Sequence, residues 1–115
     1  MDSMKKITAI VRPHQISEVR DALQEAGVGG ITVTETMGYG RQRGHAETYR
    51  GNEYTVSFNP KVKIEVVAAA SKVSVLVEAI LKAARTGKVG DGKIFVEPVE
   101  EAVRIRTGER NVDAV

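Results

Sequence analysis

Three features of the sequence predict an α+β fold of ferredoxin-like βαββαβ order, an antiparallel four-stranded sheet with two helices on one face. Hydrophobic spacing alternates between a period of two and a period near 3.6, in the order strand, helix, strand and then strand, helix, strand again. The two halves align at an offset of 57 residues, which pairs Ile7 with Ile64, Ile16 with Val73, Val19 with Leu76, Leu23 with Ile80 and Ala26 with Ala83. Between them lies a polar stretch from Gly38 to Pro60, 23 residues without a sustained period. Ordinary connections seldom exceed ~12–15 residues, so this one is expected to carry function.

Lys6 to Val11 is rich in β-branched residues and ends at Arg12-Pro13, which predicts the first strand. Ile16, Val19, Leu23 and Ala26 recur at helical spacing, and Gly27 follows as a C-terminal cap. Ile31 to Met37 alternates apolar residues with threonines, as a half-buried strand does. Lys61 to Ala68 alternates again. Val73, Leu76, Val77, Ile80, Leu81 and Ala84 mark the second helix, with Gly87 expected to close it. Lys93 to Val99 reads as the fourth strand, stopping near Pro98, and Val103 to Arg106 as a short edge strand. The offset fails after the second helix, where Arg85 to Gly92 adds glycine-rich sequence at one defined place.

A chain of 115 residues forms one domain. With 42% hydrophobic and 28% charged residues it has the balance of a globular protein, and no apolar run reaches the ~20 residues of a membrane span. Its start lacks the apolar stretch of a signal peptide, so a cytoplasmic location is expected. The absence of cysteine excludes disulfides, thiol chemistry and thiolate zinc sites, and two distant histidines offer little to a metal. A net charge of +2 is too small for a strong nucleic-acid field. The basic residues are clustered instead, which suits small anionic ligands. On the sheet face away from the helices, Thr8, Ile10, Thr32, Thr34, Lys63, Glu65, Val67 and Phe95 form a mixture too apolar for solvent and too polar for a core. An interface between copies of the chain would use it.

Three stretches carry candidate chemistry. Gly87 to Lys93 fits Gly-x-x-x-x-Gly-Lys, but Ile94 stands where a phosphate loop needs Ser or Thr, and the stretch runs from helix to strand. Its glycines still allow backbone N–H groups to converge on an anion, with Lys88 and Lys93 adding charge. The same residues equally suit a connection whose glycines merely turn the chain. In the long loop, Tyr39, Tyr49 and Tyr54 are all the tyrosines of the chain and lie near Arg41, Arg43 and Arg50. They read as contact or modification points, or as local packing in a hairpin extension. Arg104 and Arg106 present guanidinium forks suited to phosphate, or guard an edge strand by charge.

Taken together these stretches resemble the PII family of nitrogen-regulatory signalling proteins. Gly38 to His45 is similar to the start of the family's T-loop, Tyr49 to Tyr54 to its modification motif, Thr86 to Val96 to its B-loop signature, and Arg104 to Glu109 to its C-terminal signature. The resemblance implies one domain over residues 1–115, with the T-loop at about 40–58, the B-loop at about 85–93 and a C-terminal segment at about 103–115. It implies a homotrimer whose subunit interfaces bind ATP or ADP, and 2-oxoglutarate together with Mg-ATP. By matching motif, Gly90, Asp91, Gly92 and Lys93 wrap the phosphates, helped by Gly38 and Arg41 and by Arg104 and Arg106 from the neighbouring subunit, while Thr32, Glu65 and Val67 line the adenine end. Gln42 completes the magnesium shell, Lys61 pairs with a carboxylate of 2-oxoglutarate, and the backbone near Gly40, Arg43 and Gly44 holds the rest. Tyr54 is the site for uridylylation or adenylylation. Asn52 stands where relatives carry Ala or Ser, so the serine phosphorylated in some of them is absent.

The function so implied is a non-enzymatic regulator, acting through T-loop conformation on protein targets such as an ammonium transporter or nitrogen-assimilation enzymes and regulators. It involves no nucleic acid, and a membrane only indirectly through a transporter. An acyl-phosphate or ATP hydrolase is the first alternative; the missing Ser or Thr after Lys93 and the want of a general base argue against it. An RNA-binding domain of the same element order is the second, but Lys61 to Ala68 offers no stacking aromatics.

Overall fold

A computed structural model describes residues 3–39, 48–49, 53–54 and 58–115. The order is β1 (Met4–Val11), α1 (Ile16–Glu25), β2 (Thr32–Gly38), β3 (Thr48–Tyr49), β4 (Glu53–Tyr54), β5 (Asn59–Ala69), α2 (Val73–Ala84) and β6 (Gly92–Val99). The four long strands form one antiparallel sheet in the order β2-β5-β1-β6, the ferredoxin-like topology expected. The two-residue strands β3 and β4 pair with each other inside the stretch read from sequence as having no period.

The core follows from the periodicities. Alternate residues of β1 (Ile7, Ala9, Val11) and of β5 (Val62, Ile64, Val66, Ala68) are buried on one face of the sheet. Val19 and Leu23 of α1 and Leu76, Ile80 and Ala84 of α2 meet them at helical spacing. Each of the larger side chains contributes about 1.5–3 kcal/mol by leaving water. Gly27 caps α1 as predicted: at φ +96° its N–H reaches Gln24 O and the Val28 N–H reaches Leu23 O, the paired bonds of a Schellman ending.

Four expectations need correction. Gly87 does not close α2, which stops at Ala84 because Arg85 turns extended (φ −75°, ψ 125°). β2 is not half-buried: it is the edge strand beyond the helices, and Val33 and Met37 stay exposed. β5 starts at Asn59 and includes Pro60, tolerated because only β2 pairs with it there, opposite Met37. β6 ends at Val99 as predicted, with its Pro98 on the sheet's other edge. Finally, Val103 to Arg106 is a turn rather than a strand. A lone bridge joins Val103 to Arg110, and the Gly108 N–H bonds Arg104 O at 2.7 Å.

The register puts Thr8, Ile10, Thr32, Thr34, Lys63, Glu65, Val67 and Phe95 on one face, as predicted: Thr8 lies opposite both Glu65 and Phe95, Ile10 opposite Lys63, Thr32 opposite Glu65 and Thr34 opposite Lys63. Neither helix covers this face. No described helix is long and apolar enough to cross a membrane.

Candidate functional site

The polar residues singled out from sequence gather at two ends of the sheet. At the Val11 end of β1, the connection from α2 to β6 folds over the start of β5. Its organiser is Asp91. One carboxylate oxygen accepts the backbone N–H groups of Thr86 and Gly87, both at 2.8 Å, and the other accepts the Thr86 hydroxyl at 2.5 Å. The Arg12 guanidinium approaches the same carboxylate, Nε to Oδ1 at 3.5 Å, and donates through a second nitrogen to Val89 O at 2.7 Å. The hydroxyl bond from Thr86, the two backbone bonds and Arg12 hold the Asp91 carboxyl down at about 2, against a lesser upward push from burial.

Lys61, the third residue of β5, donates to Gly90 O at 2.5 Å. Its pKa is lowered, first by burial and then by the Arg12 charge, with Asp91 partly opposing. Gly38 lies across from this side chain; a Cβ there would come within 3.2 Å of Lys61 Cγ. Gly90 and Gly92 adopt φ +99° and +112°, and a Cβ on Gly92 would sit 1.7 Å from Ile10 O. Only glycine permits β6 to start so close to β1. Lys93 follows, exposed, opposite Ile10 on the uncovered sheet face.

At the other end, Thr32, Glu65, Val67 and Arg104 line a cleft of about 930 Å³ with Gly27 to Ile31 and with Val112, Ala114 and Val115. Glu65 is paired there with Lys6 at 3.2 Å, and Lys6 also reaches Glu97 at 3.9 Å. Arg104 is held by Glu109 at 3.2 Å. Arg106 is exposed and has no hydrogen bond or ion pair among the described residues. The cleft lies near Lys6 and the glycine loop meets Val11, so five strand residues, roughly 17 Å, separate them along β1. One chain therefore brings together an apolar-walled cleft with arginine, and separately a glycine loop with Arg12 and Lys61. It does not join the two.

Gly40, Arg41, Gln42, Arg43 and Gly44 lie outside the described residues. Tyr54 pairs in register with Thr48, while its side chain lies outside the description. The foot of the long loop is marked by Tyr39 and Phe58, whose rings sit 6.0 Å apart. Among the described residues no group of three His, Asp or Glu is placed to hold a metal ion. Sequence reasoning missed Arg12, whose contacts reach across 77 residues to Val89.

A sequence model described as Nitrogen regulatory protein P-II matches residues 4–109. Curated relatives with the name Nitrogen regulatory protein P-II include those of Mesorhizobium japonicum, 63% identical, and Azospirillum brasilense, 62% identical. Each alignment spans 112 residues, 97% of this chain and all of the relative. Among solved structures, that of Arabidopsis thaliana PII bound to citrate superposes with a TM-score of 0.82 at 38% identity, covering 99% of this chain and 94% of the other.

Proposed function

The chain belongs to the nitrogen regulatory protein P-II family, and from that premise we propose that it senses ATP, ADP and 2-oxoglutarate at clefts between three copies of itself. The observation that carries this reading is the separation of the two half-sites. Arg104, Thr32, Glu65 and Val67 share one cleft, while Gly90 to Lys93, Lys61 and Arg12 lie at the other end of the sheet. A nucleotide held by both halves needs the cleft of one copy against the glycine loop of the next. The uncovered sheet face, with Phe95 about half exposed, gives the copies a surface to join.

In this reading the adenine occupies the cleft beside Thr32 and Val67, and the phosphates meet the glycine loop, Lys93, Arg41 and the neighbour's arginines. Magnesium accepts a few protein oxygens and keeps the rest for water and phosphate, so the Gln42 amide oxygen with ligand oxygens forms a suitable shell. When bound, the metal would supply positive charge to the nucleotide phosphates and the 2-oxo acid. Lys61 leaves Gly90 O to pair with a carboxylate of 2-oxoglutarate. Because each ligand completes the other's site, their coupling is reciprocal and on the order of 1–3 kcal/mol. Ligands at the foot of the long loop, beside Gly38, select among its conformations. That shape, or uridylylation or adenylylation of Tyr54, is what an ammonium transporter or nitrogen-assimilation enzymes and regulators would read. The protein works in the cytoplasm without turnover of its ligands, and the citrate of the Arabidopsis relative fits a family that accepts carboxylate effectors.

Calorimetric titration of Mg-ATP, with and without 2-oxoglutarate, tests the proposal. Binding of 2-oxoglutarate only in the presence of Mg-ATP is expected. ATP binding without it would leave a sensor of adenine nucleotides alone, and no ATP binding would overturn the reading.

A further inference from the structure

Within the connection from Thr86 to Asp91, most backbone N–H groups already have acceptors. Thr86 and Gly87 give theirs to Asp91, Lys88 to the Thr86 hydroxyl at 3.2 Å and Asp91 to Lys88 O at 3.3 Å. Among the described residues, Val89 and Gly90 are the two left without one, and these are the residues whose carbonyls Arg12 and Lys61 bind. A peptide whose carbonyl is held on one side has its neighbouring N–H groups fixed in direction.

We propose that Arg12, with Asp91 and Thr86, forms a lock that presets this loop for an anion, so that Arg12 is a positioning residue rather than a ligand contact. The proposal rests on the nucleotide-sensing reading for the identity of the anion. Three geometric observations carry it. Arg12 bridges the loop at two points, Val89 O and the Asp91 carboxylate. Its Nε is buried and has no hydrogen-bond acceptor, which leaves the Asp91 charge as its nearest compensation. The Gly90 position packs directly on the guanidinium, since a Cβ there would lie 3.1 Å from the Arg12 nitrogen. The pairing also resolves a conflict of charge. A carboxylate in a phosphate-binding loop repels its ligand unless a fixed cation neutralises it, and Arg12 does so from within the fold. A loop ordered in advance need not lose its conformational freedom when the ligand arrives.

The test compares native protein with Arg12→Met, Thr86→Val and Thr86→Ser. Mg-ATP affinity is measured by calorimetry, backbone exchange at Gly87 by NMR and folding by thermal melting. Thr86→Val removes the hydroxyl that holds both Asp91 and the Lys88 N–H, whereas Thr86→Ser keeps it. The expected result is roughly tenfold weaker ATP binding for Arg12→Met and for Thr86→Val, near-native binding for Thr86→Ser, and a double variant no worse than about either single one. Gly87 exchange should quicken about tenfold in Arg12→Met at an unchanged melting temperature. If Arg12→Met weakens ATP while Thr86→Val does not, Arg12 acts by its charge on the ligand and the lock is overturned. Unchanged Gly87 exchange in Arg12→Met overturns it as well, whether or not nucleotide binds. Failure of native protein to bind ATP is a separate outcome that removes the sensing function; the exchange measurement then decides the lock alone.

Discussion

The Lys61 ammonium donates to Gly90 O at 2.5 Å, tying the start of β5, next to the foot of the long loop, to a glycine 29 residues further along the chain. A ligand carboxylate that draws Lys61 away must break this bond, so the two regions exchange one donor. Replacing Lys61 by Met keeps the stem against Gly38 and removes the donor. In Lys61→Met, 2-oxoglutarate should no longer raise the affinity for Mg-ATP, abolishing a coupling of about 5–150-fold. Calorimetry of each ligand in the presence of the other measures both sides of that loss.

Asp91 makes a distinct prediction in pH. Its carboxyl titrates at about 2 in the fold against an ordinary value of 3.8. A depressed carboxyl stabilises the folded chain above its unfolded value, and that contribution disappears as pH falls from 3.8 towards 2. The side-chain carboxyl carbon of Asp91, followed by NMR, should show a midpoint near 2. In Thr86→Val the midpoint should move up towards the ordinary value, because the Thr86 hydroxyl bond is the largest single cause of the depression.

The alternation of strands and helices was legible because its signals are local. Val19 and Leu23 fall one turn apart, and Gly27 supplies the positive φ that a Schellman ending needs. The composition of the uncovered sheet face was legible for the same reason, since parity along a strand fixes the side on which Thr8, Glu65 and Phe95 appear. What failed depends on distant contacts. Arg104 and Arg106 sit in a turn because Gly108 takes φ +74° and Glu109 reaches back to Arg104, which alternation in Val103 to Arg106 does not reveal. Gly87 looked like a helix cap but belongs to the loop gathered by Asp91. Arg12 carried no motif at all, because its meaning comes from Val89 and Asp91, brought beside it by the pairing of β1 with β6.

Glycines of similar backbone angle should differ sharply in their tolerance of alanine. Gly92→Ala would drive a Cβ to 1.7 Å from Ile10 O, a rigid strand carbonyl, at φ +112°. The start of β6 must shift, at a cost on the order of 3 kcal/mol. Gly108→Ala meets open space at φ +74°, so only the left-handed strain remains, about 1–2 kcal/mol. Urea unfolding at one fixed protein concentration ranks the two. Equal losses would mean that β6 slides freely along β1.

The uncovered sheet face gives the last prediction, because the proposed sensing function depends on it. Phe95 is 51% exposed in the single chain, opposite Thr8, with Lys6, Lys63, Glu65 and Glu97 around it. An aromatic ring in that position costs free energy in water and repays it when another copy covers it. Phe95→Asp puts a charge where the partner surface would have to desolvate it, next to two carboxylates already present. Native protein should sediment at three times the 12.5 kDa of one chain and Phe95→Asp nearer to one. Val75→Asp, on an exposed position of α2, should leave the mass as it was. Because the cleft and the glycine loop lie at opposite ends of one sheet, the dissociated Phe95→Asp chain should also bind Mg-ATP far more weakly, although residue 95 is in neither half-site. A variant that dissociates yet binds as well as native protein would mean that one chain holds the nucleotide unaided, and the half-site argument would fail.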